Sequence, residues 1–311
     1  MKATSRSEKK QEVNQPPALP TKQEPNSSSQ AAPPSIETGE PLSTEAEESG
    51  ENGSALNQQH RVDPKIGLIL GGGGLRSYAH IGVLQEMSKR KFPIVAIGGI
   101  EMGALVAAVY SVKAQSFDVE WQMMKLKEKD LLQKGLISGK TKSLDVQVID
   151  EFTNMVFGSL KVEQSKIPFT CPSLNIEQQK IYVLTKGSFK EMLPYCMAMP
   201  PLFKPYQQNV AGILSHQVVA DQLRQRGANY IIYIDVLTAP IKTEDAEIDS
   251  QIVWSLAAEK MNQKLSGIDY TIRVPLRGYD LLDFNKRREM LQKGQMAAQA
   301  AIKVLEKELD L

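Results

Sequence analysis

Between Ile94 and Tyr110 the chain runs through a short apolar stretch, a tight turn framed by glycines, and an apolar, alanine-rich segment. A strand that feeds a helix through so short a turn leaves little freedom: the strand must lie in a buried sheet and the helix must pack directly behind it. The turn reads Gly99-Ile100-Glu101-Met102-Gly103. Its frame is that of a nucleophile elbow, G-x-S-x-G, where a strained strand-to-helix turn lifts a hydroxyl above the sheet. The central residue here is Glu101.

The preceding segment repeats the theme. Lys65 to Leu70 is a continuous apolar run of the kind buried on both faces of a parallel sheet, and Gly71-Gly72-Gly73-Gly74 follows at once. Leu75 to Arg90 then places Tyr78, Ile81, Val83, Leu84 and Met87 on a helical stripe. With a strand at Ile94 to Ile97, the first third reads as a βαβ unit with a right-handed crossover. Helical and irregular sequence follows to about Val162, in which Met123, Met124, Leu126, Leu131 and Leu132 read as core. Strands are expected at Ile167 to Cys171, Ile181 to Leu184 and Tyr230 to Val236, with an edge strand at Tyr270 to Val274. A polar helix from Val219 to Arg226 stops at Gly227, and a last helix runs from an N-cap at Asp283 to Leu309. The expected fold is α/β: one three-layer domain over residues 64–311, its central sheet mostly parallel and flanked by helices.

Residues 1–63 have another character. They are rich in Pro, Ser, Gln and Glu and lack either periodicity, so they cannot bury enough apolar surface to offset their ordering entropy. A disordered tail is expected. The formal net charge of +1 gives no field to gather a polyanion, which argues against nucleic acid. Two cysteines, Cys171 and Cys196, are too few for a disulfide framework, and no Cys or His pair has zinc-ligand spacing, so neither a structural metal nor a cofactor is expected. No apolar run approaches the roughly 20 residues that span a bilayer. As written, the sequence reads as cytoplasmic. The alternative is a tethered periplasmic lipoprotein, because Ala3-Thr4-Ser5-Arg6-Ser7 and the polar stretch after it resemble the residues behind a lipidated cysteine, although no such cysteine is present.

Two uses compete for the glycine loop, which offers backbone N–H groups beside a helix N-terminus. A dinucleotide site would need G-x-G-x-x-G and an acidic residue closing the second strand, but the third position is Arg76 or Ser77 and that strand closes on glycine. No Walker lysine is present either. An oxyanion hole needs only backbone donors beside the turn that follows the next strand, and that turn comes about thirty residues later.

Ile66-Gly-Leu-Ile-Leu-Gly-Gly-Gly-Gly-Leu-Arg-Ser-Tyr-Ala-His-Ile-Gly-Val-Leu84, followed by Gly99-Ile-Glu-Met-Gly-Ala-Leu105, resembles the bacterial patatin-like phospholipases. The resemblance continues through Ile167-Pro-Phe169, Pro200-Pro-Leu-Phe-Lys-Pro205, Arg226 to Val236 and Asp269 to Arg273. It implies a lipid acyl hydrolase fold with a Ser-Asp dyad, no catalytic histidine, an oxyanion loop over Gly72, Gly73, Gly74, Leu75, Arg76 and Ser77, and an elbow over Gly99, Glu101, Met102 and Gly103. Three positions depart from the family pattern. The elbow serine is Glu101, the aspartate of the D-G-G motif falls on Ala211, and the closing glycine of the loop is Ser77.

Acyl transfer needs an activated nucleophile, a base and an oxyanion hole, and this chain lacks the usual first two. His80 and His216 read as structural. The helix N-terminus and the nearby donors are expected to stabilise the Glu101 carboxylate and lower its basicity. Its length should let it reach the amides of Gly72 to Gly74. The resulting expectation is a pseudoenzyme that binds lipid, a membrane surface or a protein partner such as an active relative. The rival is a working lipid acyl hydrolase that uses Glu101, Ser77 or a histidine.

Overall fold

The computed structural model describes residues 63–134, 141–238 and 247–311. The tail expected over 1–63 lies, apart from Asp63, outside them. Strand β1 (Ile66–Leu70) is buried along its whole length. It pairs in parallel with β2 (Ile94–Gly99) on one side and with β8 (Tyr230–Asp235) on the other, and β9 (Tyr270–Arg273) continues in parallel beyond β8. On the far side of β2 lies β5 (Phe169–Asn175), parallel to β2. Beyond it the direction reverses, for β6 (Lys180–Leu184) and the short β7 (Asn209–Ala211) both pair with β5 antiparallel. The sheet order is β6-β5-β2-β1-β8-β9 with β7 beside β5, and a separate antiparallel pair joins β3 (Gln133–Lys134) to β4 (Thr141–Lys142).

The three layers follow from alternation along the buried strands. Ile66, Leu68 and Leu70 join one apolar cluster together with Ile232 and Ile234, whereas Ile69, Ile231 and Tyr233 join another on the opposite face. The first cluster is closed by α1 (Tyr78–Lys89), α2 (Met102–Lys113), α3 (Ser116–Met123), α4 (Asp150–Phe157), α5 (Phe189–Met197) and α8 (Arg287–Leu309). The second is closed by α6 (His216–Gln225) and α7 (Ile248–Met261). Met123, Leu126 and Leu131 are buried in the first cluster, with Met124 and Leu132 packed against it. Among the described residues no helix is long and apolar enough to cross a membrane.

The structure corrects several boundaries. Helix α1 starts at Tyr78, because Gly74–Ser77 forms a 3-10 turn, and α6 starts at His216 rather than Val219. Asp283 opens a further 3-10 turn without a side-chain cap, and α8 begins only at Arg287. Two cysteines make no framework, but they do pair: Cys171 on β5 and Cys196 on α5 form a single disulfide across a sequence separation of 25 residues. The count of cysteines could not reveal this, since the pairing arises from α5 folding back over the end of its own sheet. Both residues are fully buried. Replacing both by alanine is expected to lower the unfolding free energy by about 2 kcal/mol, the low end for a loop of this length, and denaturant unfolding of the double variant against wild type measures it.

Candidate functional site

The glycines around Glu101 permit an approach that no side chain could share. A Cβ on Gly103 would sit 2.5 Å from the carbonyl oxygens of both Leu70 and Gly71, and one on Gly99 would meet the Gly103 carbonyl at 2.6 Å. The helix therefore starts directly against the glycine loop. Glu101 takes the strain of the turn, with φ 54° and ψ −129°, a region where a non-glycine residue costs on the order of 1–3 kcal/mol. Surrounding hydrogen bonds hold it there. Its N–H donates to the Cys196 carbonyl at 3.1 Å and its carbonyl accepts from Ala104 N–H at 2.8 Å.

The side chain turns into the glycine loop. Oε2 accepts from the backbone N–H of Gly73 at 3.1 Å and of Gly74 at 2.8 Å. Gly72 is not among the donors. It packs instead, a Cβ there falling 3.2 Å from both the Glu101 Cβ and the Ile213 Cδ1. Glu101 is fully buried, and its second oxygen, Oε1, has no hydrogen-bond partner. Its basicity is therefore the reverse of the sequence expectation: burial pushes the carboxyl up to about 7, and the N–H groups of Met102, Gly73 and Gly74 only partly hold it down. The helix terminus was legible in the sequence. The complete exclusion of water was not.

The loop is fastened from several sides. Leu75 N–H donates to the Leu281 carbonyl at 2.8 Å, and the Arg76 guanidinium donates through Nε and Nη2 to the Tyr279 carbonyl and through Nη1 to that of Val236. Arg76 is fully buried, which lowers its pKa to about 10 against the opposing charges of Asp280, Asp283 and Asp235. Its hydrogen bonds tie the loop to the segment before α8. His80 lies under the loop, with Nε2 2.8 Å from the Gly71 carbonyl, an arrangement that requires the proton on Nε2. Burial pushes its pKa down to about 4, so it is a neutral structural donor. Ser77 Oγ, at the start of α1, is buried without a partner, and no base is bonded to it.

Ala211 ends β7 in a buried position, paired with Ser173. Its N–H donates to the Ala198 carbonyl at 2.8 Å. Glu101 and Ala211 thus grip carbonyls two residues apart, at the end of α5. The same short segment carries Cys196, whose disulfide anchors it to β5. Beyond it, the Trp254 indole on α7 donates to the Pro200 carbonyl at 2.6 Å. His216 opens α6 with its ring edge toward Tyr233, its pKa lowered by burial and then by Lys260. Sequence reasoning missed Asp235, a buried carboxyl at the end of β8 raised to about 6 by burial, with Oδ1 on Leu237 N–H and Oδ2 unpartnered. An acidic residue closing a buried strand was the only available signal.

The model of the patatin-like phospholipase family matches residues 68–224, from β1 through nearly all of α6. The chain belongs to the patatin-like phospholipase family. Lysophospholipase NTE1 of Meyerozyma guilliermondii is 22% identical over 271 aligned residues, covering 75% of this chain and 19% of its own length. Neuropathy target esterase sws of Drosophila melanogaster is 26% identical over 270 residues, covering 74% and 19%. An uncharacterized NTE family protein of Mycobacterium tuberculosis is 26% identical over 161 residues, covering 50% of this chain and 43% of its own. The chain thus spans about a fifth of the two longer relatives. Among solved structures, VipD from Legionella pneumophila aligns with a TM-score of 0.44 at 10% identity, covering 76% of this chain and 66% of that one.

Proposed function

We propose that this patatin-like domain binds lipid, a membrane surface or a protein partner such as an active relative, and does not hydrolyse esters. One observation carries the reading: the Glu101 carboxylate sits on the Gly73 and Gly74 amides, the donors that an oxyanion would need. In this reading the nucleophile position carries a group that fills its own oxyanion hole. The dyad acid position, Ala211, offers no carboxylate to activate anything. Exposed Ile248, Ile252 and Leu256, four residues apart along α7, support contact with an apolar partner or lipid surface. The disulfide supports an oxidising compartment over the cytoplasm, in line with the lipoprotein alternative.

The rival reading, an acyl hydrolase with Glu101 as general base, draws on its pKa of about 7, which lies where a base works best at neutral pH. Against it stand the full burial of the carboxylate and the fact that, among the described residues, no side-chain hydroxyl or thiol is bonded to it. Turnover of short- and long-chain p-nitrophenyl esters and of phospholipids separates the two. Wild type is expected to match the buffer blank, and Glu101→Ser/Ala211→Asp to gain measurable turnover. Wild-type hydrolysis that vanishes in Glu101→Gln overturns the proposal.

A further inference from the structure

Where β5 runs past the end of β2, its last residues, with β6 and β7, form a small antiparallel ledge beneath α5. A pocket of about 250 Å³ opens on this ledge, lined by Ser173, Asn175, Gln178, Tyr182, Tyr195 and Asn209 above an apolar contact from Leu184. The register explains why these side chains converge. Ser173 pairs with Tyr182 on one side and with Ala211 on the other, and Asn175 pairs with Asn209, so all project from one face of the sheet. The pocket therefore adjoins Ala211.

Its surface is more apolar than polar, and the polar groups set into it are uncharged. Much of the lining is fixed by internal hydrogen bonds: Ser173 Oγ donates to the Tyr195 carbonyl, Asn175 Oδ1 accepts from Gln178 N–H, and the Tyr182 hydroxyl donates to Gln178 Oε1. The Tyr195 hydroxyl donates to Gln207 Oε1, and Asn209 Nδ2 donates to the Gln207 carbonyl. These bonds leave the Asn175 and Gln178 amide nitrogens as spare donors, and Asn209 Oδ1 and the two phenol oxygens as spare acceptors. Donors and acceptors interleaved along one wall complement hydroxyl groups, each of which does both. Two tyrosine rings supply apolar surface for the C–H faces of a ring. No charged side chain lines the pocket, and Lys180, the cation beside it, lies over the Tyr182 ring, so the lining itself favours a neutral ligand.

We propose that this pocket binds a neutral, multiply hydroxylated ring, a sugar or cyclic polyol of single-ring size. Such a ring is either a free saccharide or the headgroup of a lipid. The second source alone rests on the lipid-binding reading above.

Saturation-transfer NMR on the full chain tests it with methyl β-glucopyranoside, methyl β-galactopyranoside and myo-inositol, and with acetate and inorganic phosphate as charged controls. At least one neutral ring is expected to receive saturation, and neither control. Asn175→Ala, at a half-buried position, and Tyr182→Ala, at an exposed one, should each weaken that binding about tenfold, the effect of losing roughly one hydrogen bond, with at most a small fall in Tm from the loss of their bonds to Gln178. Silence from all three rings, binding unmoved by both variants, or equal response from the controls overturns the proposal. Flotation with phosphatidylcholine vesicles, with and without monoglucosyl diacylglycerol, then separates the sources. Flotation that requires the glycolipid and is competed by the free glucoside marks a lipid headgroup, and glucoside binding without flotation marks a soluble saccharide. Failure of this pocket leaves the Glu101 reading standing, because that one is decided by ester turnover.

Discussion

Gly294→Ala is expected to lower the unfolding free energy by roughly 4 kcal/mol, with a fall in Tm of about 10 °C. Helices α1 and α8 approach each other at two glycine notches. A Cβ on Gly294 would fall inside contact distance of the Ala79 carbonyl oxygen, and one on Gly82 would do the same to the Leu291 carbonyl and sit 2.7 Å from the Gln295 nitrogen. These obstacles are backbone atoms within helices, so a rotamer change cannot relieve them and the helices must separate. Gly82→Ala should cost a similar amount. The double variant should cost clearly less than the sum, because one separation of the helices relieves both clashes. Thermal unfolding of the three variants checks the magnitude and the non-additivity, and a loss below about 1 kcal/mol for Gly294→Ala would show that the crossing is loose.

The second large effect is a pH dependence that belongs to Glu101. Its folded-state carboxyl titrates at about 7, above the ordinary 4.5, so between those values the native state holds a proton that the unfolded chain has released. Stability from this group is complete below 4.5 and is lost as pH rises through about 7. At about 1.4 kcal/mol per pH unit, the loss amounts to about 3 kcal/mol. Asp235, raised to about 6, acts in the same direction, whereas His80, lowered to about 4, gains stability as pH rises from 4 toward 6.5. These opposing groups flatten the wild-type profile. The difference between Glu101→Gln and wild type removes them, because the glutamine is neutral throughout. That difference should move by about 3 kcal/mol in favour of the variant between pH 4.5 and pH 7.5, measured by urea unfolding across the series. A difference that stays flat would mean that the carboxylate remains ionised throughout, stabilised by the two amides more than burial opposes it.

Much of the fold could be read from the chain because its strongest signals are local. Ile66 to Leu70 and Tyr230 to Ile234 are unbroken apolar runs whose only satisfactory place is the middle of a covered sheet, and the glycines at 71–74, 99 and 103 mark where backbone meets backbone. Elements whose signals are weak were missed. Strand β7 is three residues long and is held by pairing with β5, helix α5 contains Pro194, and α7 carries apolar residues on its outer as well as its inner face. Periodicity cannot register any of these, since each is fixed by what it packs against.

For the candidate site, sequence alone determined the chemical inventory: a glutamate, Glu101, at the strand-to-helix turn, an alanine at 211, and a row of glycine amides a short distance away in the fold. It also fixed the reach of the side chain, because a strand-turn-helix with glycines on both sides has few conformations. Three things were decided only by tertiary structure. Gly73 and Gly74, where the loop enters its 3-10 turn, receive the carboxylate and Gly72 does not, and Ile213 reaches the Gly72 side of the loop from a segment more than a hundred residues away in the chain. Cys171 and Cys196 meet because α5 folds over β5 and brings its last carbonyls to Glu101 and Ala211. Finally, Glu101 is driven up toward neutrality because these layers together exclude water from it. Local sequence sets which dipoles face a charge, but desolvation sums over every atom that surrounds it, and those atoms are assembled only by the complete fold.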